Sequence, residues 1–414
     1  MVKKGYKQTE VGVLPEDWAI KKLINLSDGG MQNGTFYEGS RKGTGVYFLN
    51  VGNLYQAAPI IPQTLGKFDA SKDEIDRFRV KNGDLFFTRS SIVPSGIAYC
   101  NWYNDSGDNT TVFDSHVVRF KTDTDQVNPM YLYLQCVSQE SRKYFISNAK
   151  VATMTTIDQA QIGNCLIPVP SLTEQKNIAE AISDADRIIR LLEKLIIKKK
   201  AIKQGAMQEL LTGKRRLPGF SEEWQNIVLG TVSSFYNGGT PSKTRKDWWS
   251  GNIPWISSSD LSESTITSVK ISRFVSQEAV ARSATRICPR NAVLIVSRVG
   301  VGKVAVSPCE LCTSQDFTTI VSSRHNPYFL AYMLMPIMKK LAIQSQGTSI
   351  KGITTEDIQI IAIPTPSEEE QNAIVDILAD TDSEIEALEQ KLKKYRQVKQ
   401  SMMQQLLTGK IRLV

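Results

Sequence analysis

The sequence is poor in the residues that hydrolytic and metal-dependent sites use. It has two histidines, His116 and His325, and its six cysteines form no regular framework. Cys309 and Cys312 have the spacing of half a zinc site, but no second pair accompanies them, so we do not expect a bound metal. No Ser/His/Asp arrangement in a recognisable context and no spaced carboxylate cluster is present. We therefore expect a binding protein without an active site of its own.

Long apolar runs are also missing. No stretch approaches 18 apolar residues and no signal-peptide pattern follows Met1, so we expect neither a membrane span nor export. The expected location is the cytoplasm, where the cysteines stay reduced. The glycine-rich segment 300–303 has neither of the phosphate-loop spacings, and no nucleotide site is expected there. A net charge of +8 permits nucleic-acid binding without being diagnostic of it.

What the sequence does contain is a duplicated segment. Residues 168–217 recur without a gap at 364–413. In each copy a Pro-Ser step precedes a Glu-Gln pair, which predicts a capping box at the start of a helix, and a glycine near the end predicts its C-terminus. The sequence thus predicts two helices of about 40 residues, each roughly 60 Å long.

Apolar residues recur in both helices with the alternating four-three spacing of a coiled coil. The first series runs from Ile178 to Leu210 and the second from Ile374 to Leu406. Acidic residues precede basic ones along each helix, so antiparallel pairing places each acidic half beside a basic half. The same order of charge also suits each helix dipole. A second stripe off this seam predicts a surface for a protein partner, formed by Ile188, Leu195 and Ile202.

The remaining residues form two similar halves. Glu16-Asp17-Trp18 recurs as Glu222-Glu223-Trp224, and each half continues with short strand-like runs, at 46–54, 84–92, 253–261 and 292–306. Ser115-His116 is aligned with Ser314-Gln315. Asn128-Pro129 is aligned with Asn326-Pro327, and both Asn-Pro pairs are predicted to start a helix. The predicted class is α+β, with two mixed α/β domains, two long antiparallel helices and an internal pseudo-two-fold repeat. The predicted divisions are 1–167, 168–213, 214–363 and 364–414.

Several loops combine Arg or Lys with hydroxyl residues and aromatics, namely TFYEGSRKG, FFTRSSIVPSG, GGTPSKTRKDWW and VSRVGVGK. Side chains of these types can meet phosphates and base edges, and arginine is the usual reader of guanine. The predicted contact residues are Arg41, Lys42, Arg89, Ser90 and His116 in the first half, and Lys243, Arg245, Arg298, Lys303 and Gln315 in the second.

Three sequence features together resemble a known family. They are the duplicated P-x-P-S-x-x-E-Q helix ending in L-L-T-G-K, the opening K-x-T-E-V-G-x-L-P-E-D-W, and G-G-T-P-S followed by I-P-W-I-S. Over essentially its whole length the chain resembles the specificity subunit of type I restriction-modification systems, which serve host defence. The first half lacks the Gly-Gly-Thr-Pro and Ile-Pro-Trp motifs of the second half and has GMQNGTFYEG and VYFLNVGNL at the corresponding positions.

The resemblance implies two target recognition domains, each reading one half of a bipartite site on double-stranded DNA. It implies helices that dock two DNA adenine methyltransferase subunits, with restriction and translocase subunits joining that core. In the family the specificity subunit has no active site, and S-adenosylmethionine, ATP and magnesium belong to its partners. Two alternatives remain: the DNA-reading subunit of another restriction type whose partner fuses methylation and cleavage, or a free-standing DNA-binding protein.

Overall fold

The computed structural model describes residues 4–105, 107–345 and 352–414. The chain divides into two compact units. The first contains Met1–Leu191 together with Leu392–Val414, and the second contains Leu192–Lys391. Each unit therefore combines one mixed α/β domain with parts of both long helices. Within the described residues, no helix has the length and apolar character needed to cross a membrane.

The first α/β domain is built from short strands joined by loops and small helices. Its strands are β1 Tyr6–Thr9, β2 Gly12–Pro15, β3 Ala19–Lys22, β4 Ser27–Asn33, β5 Lys42–Leu49, β6 Gly66–Phe68, β7 Leu85–Thr88, β8 Ser90–Ser91, β9 Cys100–Trp102, β10 Thr111–Phe113, β11 Val117–Thr122, β12 Lys150–Val151, β13 Thr155–Thr156 and β14 Leu166–Val169. Its helices are α1 Val51–Leu54, α2 Lys72–Phe78, α3 Pro129–Cys136, α4 Gln139–Ser147 and α5 Gln159–Gly163. The first long helix is α6 Leu172–Leu210.

The sheet at the centre of this domain has the order β4-β11-β7-β9 and is antiparallel. Strand β7 is buried along its whole length, as its apolar sequence Leu-Phe-Phe predicts for a central strand. A second sheet, β10-β5-β6, pairs β10 with β5 in parallel. The predicted strand at 46–54 ends at Leu49 because the Asn50 side chain accepts a hydrogen bond from the Gly52 amide and caps α1.

The second domain repeats this plan with different residues. Its strands are β15 Gln225–Val228, β16 Ser234–Asn237, β17 Ile253–Ile256, β18 Arg273–Val275, β19 Ile287–Cys288, β20 Val293–Val296, β21 Val304–Val306, β22 Leu311–Thr313, β23 Phe317–Val321 and β24 Ala362–Thr365. Its helices are α7 Leu229–Val232, α8 Gln277–Arg282, α9 Pro327–Ser345 and α10 Thr355–Gln359. The second long helix is α11 Glu368–Leu406.

The strand orders of the two domains correspond. The sheet β16-β23-β20-β21 matches β4-β11-β7-β9, and the parallel pair β17-β22 matches β5-β10. Each domain also closes with an antiparallel pair next to a long helix, β3 with β14 and β15 with β24. Helix α9 begins at Pro327 as predicted, because Asn326 Oδ1 accepts from the Phe329 amide at 3.3 Å. The predicted α+β class with an internal repeat is confirmed.

The long helices pack in antiparallel fashion within each unit. In the second unit, Lys199 pairs with Glu384 at 2.7 Å and Lys203 pairs with Asp382, so partner numbers fall as the first helix advances. In the first unit, Asp186 of α6 lies 2.6 Å from Lys399 of α11. The predicted seam is buried or half-buried along both helices, from Ile178 onward. The charge order along the sequence therefore predicted the direction of the pairing correctly.

The start of α6 is fixed by a buried carboxylate. Ser171 Oγ accepts from the Glu174 amide at 3.2 Å, as an N-cap should. The Glu174 side chain, which is 1 % exposed, accepts from the Trp18 indole at 3.1 Å and from Arg412 Nε at 2.6 Å. The prediction that this carboxylate would return to the serine amide is wrong, because an indole and a guanidinium occupy both of its oxygens.

The start of α11 repeats this arrangement with its own residues. Glu370 is also 1 % exposed, and it accepts from the Trp224 indole at 3.0 Å and from Arg216 Nε at 2.8 Å. The predicted capping box is again only half formed, with Ser367 Oγ 3.5 Å from the Glu370 amide. In both units the arginine follows the Leu-Leu-Thr-Gly-Lys end of the opposite helix. The duplicated motif thus joins the end of one helix to the beginning of the other.

The glutamine after each glutamate fixes the adjacent domain. Gln175 Oε1 accepts from the Asn128 amide at 2.8 Å, and Gln371 Oε1 accepts from the Asn326 amide at 3.0 Å. Each glutamine also donates to the carbonyl of the proline that precedes the N-cap serine. Both glutamines are buried, so their amides need these partners. They position the first turn of α3 and of α9 against the long helices.

Candidate nucleic-acid interface

The turn before β11 and the turn before β23 occupy the same place in the two domains. The Val117 amide donates to the Asp114 carbonyl at 3.0 Å, and the Phe317 amide donates to the Ser314 carbonyl at 3.2 Å. These bonds align His116 with Asp316, one position later than the sequence comparison predicted. The prediction that His116 matches Gln315 is therefore wrong by one residue, since the shared Ser misleads the alignment while the backbone register follows the strands.

A glycine lets a second loop approach each turn. A Cβ on Gly34 would lie 1.9 Å from the Phe113 carbonyl oxygen, and one on Gly238 would lie 2.1 Å from the Ser314 carbonyl oxygen. No residue with a side chain fits such an approach. Gly34 of the first half is therefore the structural equivalent of Gly238 in the Gly-Gly-Thr-Pro motif, although the surrounding sequences differ.

In the first domain the predicted residues Arg89, Ser90 and His116 lie together. The Arg89 amide donates to the His116 carbonyl at 3.3 Å, and Ser90 lies in β8, which pairs with β13. Arg89 is exposed, and so is the ring of His116, whose Nδ1 lies 2.9 Å from Asp114 Oδ1. A guanidinium and an imidazole are thus exposed on neighbouring backbone segments, next to the half-buried Ser90, which suits contact with phosphates and base edges.

Arg41 has a partner inside the same domain. Its guanidinium pairs with Glu74 and lies 4.5 Å above the Phe68 ring. Glu74 also accepts from the Thr35 hydroxyl at 2.5 Å. Hydrogen bonding from Arg41 lowers the pKa of Glu74 to about 2, and the same bond raises the pKa of Arg41. Lys42 is exposed beside this group. Arg41 therefore holds the loop in place with a charge that is already compensated.

In the second domain, Lys243 and Gln315 line one open cleft of about 600 Å³. Thr240 lies in the same cleft and donates its hydroxyl to Gln315 Oε1. The other lining residues are Lys246, Trp249, Trp255, Ser257, Arg273, Ser314 and Asp316. Arg273 lies 4.6 Å above the Trp255 ring and donates to Ser257 Oγ at 2.7 Å. This is a concave surface that combines ammonium groups, an amide and aromatic rings.

The other predicted residues of this domain surround that cleft. Arg298 is exposed after β20, and its amide donates to the Asp316 carbonyl at 3.3 Å. Arg245 pairs with Asp247 at 2.6 Å, and this hydrogen bond raises the pKa of Arg245. Lys303 donates to the Ser258 and Leu261 carbonyls at 3.2 and 3.3 Å. Arg298 is thus presented to solvent, whereas Arg245 and Lys303 are bound to groups of their own domain.

Sequence reasoning missed several residues of this surface. Arg273 stands in no conspicuous motif, and Thr35, although it begins the quoted loop TFYEGSRKG, was not singled out because its contact with Glu74 depends on pairing between distant segments. Lys246 and Trp249 lie within the quoted run KTRKDWW, so the density of basic and aromatic residues there could have identified them. Among the described residues no group of three or more metal-ligating side chains occurs, and the six cysteines are free thiols.

The predicted partner stripe is partly exposed. In the second unit Leu195 is 38 % and Ile202 is 51 % exposed, which is high for apolar side chains on a packed helix. Ile188, in the first unit, is half-buried. Leu191 is 60 % exposed and lies three residues after Ile188, hence on the same helical face. This face of α6 carries apolar area that the coiled-coil seam leaves uncovered.

The structure therefore defines a class of protein in which one α/β fold occurs twice, each time joined to paired long helices. The chain belongs to the family of the type I restriction modification DNA specificity domain, whose model matches residues 15–200 and again residues 221–395. It is 24% identical over 424 residues to the putative type I restriction enzyme MjaX specificity subunit of Methanocaldococcus jannaschii, covering 99% of this chain and 97% of that protein.

Two further comparisons agree with this assignment. The EcoR124I/EcoR124II specificity subunit of Escherichia coli is 28% identical over 237 residues, which cover 52% of this chain and 55% of that subunit. The crystal structure of the type I restriction-modification S subunit from M. genitalium shares the fold, with a TM-score of 0.61 at 14% identity, covering 94% of this chain and 96% of that one. The predicted family is confirmed.

Proposed function

We propose that the chain reads a bipartite target on double-stranded DNA, with one half-site for each α/β domain. The observation that carries this proposal is the duplication itself. Both domains bring the same turn, Asp114–His116 and Ser314–Asp316, to a glycine-dependent loop contact, but they present different side chains around it. A shared frame with divergent exposed residues is suited to two different ligands of one class, and the cationic and hydroxyl groups at both turns suit DNA.

The ten predicted contact residues fall into two groups, those that would contact DNA and those that would support the loops. Arg89, Ser90, His116, Lys42, Lys243, Arg298 and Gln315 would meet DNA, while Arg41, Arg245 and Lys303 would support the loops that carry them. We assign no catalytic step to this chain. Methylation of adenine and cleavage would belong to partner subunits, which would also hold S-adenosylmethionine, ATP and magnesium. The apolar face of α6 with Ile188, Leu195 and Ile202 would dock two methyltransferase subunits, and restriction and translocase subunits would join that assembly.

A domain exchange tests the proposal. Residues 19–165 are replaced by the corresponding residues of a related specificity subunit, and the methylated motif of a host carrying the hybrid with its methyltransferase is sequenced. We expect one half of the motif to change while the other half is kept. The matched control exchanges residues 225–361 and should change the opposite half. A hybrid that altered both halves together would contradict the assignment of one half-site to each domain.

A further inference from the structure

The amide of Gln315 is held in one orientation at the open cleft of the second domain. Thr240 donates its hydroxyl to Gln315 Oε1, and Gln315 is exposed on its other side. Because the hydroxyl engages the amide oxygen, the two N–H groups on Nε2 remain directed to whatever enters the cleft. The neighbouring Lys243 ammonium, which lines the same cleft, also only donates.

The backbone fixes the hydroxyl that orients this amide. The Gly239 amide donates to the Thr313 carbonyl at 2.9 Å, and the Gly239 carbonyl accepts from the Trp255 indole at 3.0 Å. A Cβ on Gly239 would lie 2.4 Å from the Ala284 carbonyl carbon, so this segment is enclosed on its other side as well. Thr240 follows directly. Its position is therefore set by the sheet and not by its own side-chain contacts, as preorganised recognition requires.

We propose that this cleft reads a guanine in the half-site of the second domain, with Gln315 Nε2 and Lys243 as paired donors to the O6 and N7 acceptors of its major-groove edge. Guanine offers two acceptors there, whereas cytosine offers a donor. Lys246, exposed at the rim, contacts a phosphate. The inference rests on the proposed reading of DNA. It adds that one position of the second half-site is recognised through hydrogen-bond acceptors of its base, and that Thr240 sets the orientation of the donor that reads them.

The decisive variant is Gln315→Glu, examined in the assembled complex with the methyltransferase by sequencing the methylated motif. A carboxylate keeps the bond from Thr240 but only accepts, so one position of the second half-site should change from guanine to a base with an exocyclic amino donor, cytosine or adenine. Thr240→Val removes the hydroxyl and should reduce discrimination at that same position roughly tenfold. Thr240→Ser should behave as the natural protein.

Thr244→Val is the matched control, because the Thr244 hydroxyl bonds Ser242 at 2.8 Å on the same loop and does not line the cleft. A purely structural role for Thr240 would weaken recognition evenly, not at one position. Unchanged preference at every position in both Gln315→Glu and Thr240→Val would overturn the inference. If Gln315→Glu loses methylation altogether, the methylated motif of Gln315→Ala is sequenced instead. Loss of base preference at one position of the second half-site supports the inference, and unchanged preference overturns it. Failure of the proposed function would appear separately, in the domain exchange.

Discussion

Two glutamates show how far a single residue of the repeat depends on the rest of the chain. Glu174 meets Arg412, and Glu370 meets Arg216, each across more than 150 positions of sequence. Both carboxylates are buried, so each would be costly without its arginine and its tryptophan. The motif residues that identify the family therefore serve the packing of each unit, while the proposed DNA contacts lie in loops that differ between the two domains.

At the same scale, Glu74 predicts a dependence on pH. Its pKa is lowered from 4.5 to about 2 in the folded protein by hydrogen bonds from Arg41 and Thr35. The ionised form is thus favoured by folding, and its contribution to stability is complete above pH 4.5 and lost as the pH falls towards 2. We expect Glu74→Gln to be less stable than the natural protein at pH 6, with the difference closing on acidification.

The measurement is urea unfolding of both proteins across this pH range. A suitable control is Glu38→Gln, because Glu38 lies 3.9 Å from the same arginine and its side chain is 62% exposed. This substitution should have little effect at any pH, as is usual for exposed ion pairs. A stability difference for Glu74→Gln that stays constant with pH would show that Glu74 acts through shape alone.

At the scale of the helix, three glycines predict effects of different sign. Gly213 and Gly409 have φ of +68° and +66° at the ends of α6 and α11, whereas Gly205 lies within α6 with nothing close to an added Cβ. Gly205→Ala should stabilise by about 0.5 to 1 kcal/mol. Gly213→Ala should destabilise by about 1 kcal/mol or more, since alanine is strained in the left-handed region.

Gly409→Ala should cost more than Gly213→Ala, because its Cβ would also lie 2.5 Å from Pro15, whereas that of Gly213 meets the Trp224 ring at 3.5 Å. Free energies of unfolding in urea rank the three variants. Equal costs at Gly213 and Gly409 would mean that Pro15 moves aside without penalty.

The antiparallel seam predicts a strong and a weak ion pair in the second unit. Lys203 and Asp382 have side chains only 8% and 10% exposed, and Asp382 also accepts from the Tyr332 hydroxyl at 2.7 Å. Lys199 and Glu384 are 29% and 50% exposed. Double-mutant cycles with alanine should give a coupling above about 1 kcal/mol for the first pair and below about 0.5 kcal/mol for the second. Similar couplings would indicate that burial does not decide their strength.

At the scale of the whole molecule, the proposal that catalysis belongs to partner subunits predicts what the isolated chain does. The purified protein should neither methylate nor cleave DNA, and adenine methylation should appear when a methyltransferase partner and S-adenosylmethionine are added. Incorporation of labelled methyl groups into DNA measures this directly. The control is the partner with S-adenosylmethionine but without this chain. Turnover by the chain alone would refute the proposal that the catalytic groups lie on its partners.

The sequence by itself determined the repeat, the long helices, the direction of their pairing and the family. These depend on periodicity, charge order and local motifs, which are properties of neighbouring residues. It also predicted Arg89, Ser90 and His116, together with Arg41 and Lys42, as contact residues, and the structure places the first three on neighbouring segments. The strands at 84–92 and 292–306 were recognisable because their apolar residues are consecutive.

Only the tertiary structure decided which partners those residues take. The Glu174 and Glu370 carboxylates fit a capping box in sequence, yet an arginine and a tryptophan from distant segments bind them more strongly than one amide could. The alignment of His116 with Asp316, and the contact between Thr240 and Gln315, likewise depend on strand register. Register is set by pairing between remote segments, so local sequence cannot specify it.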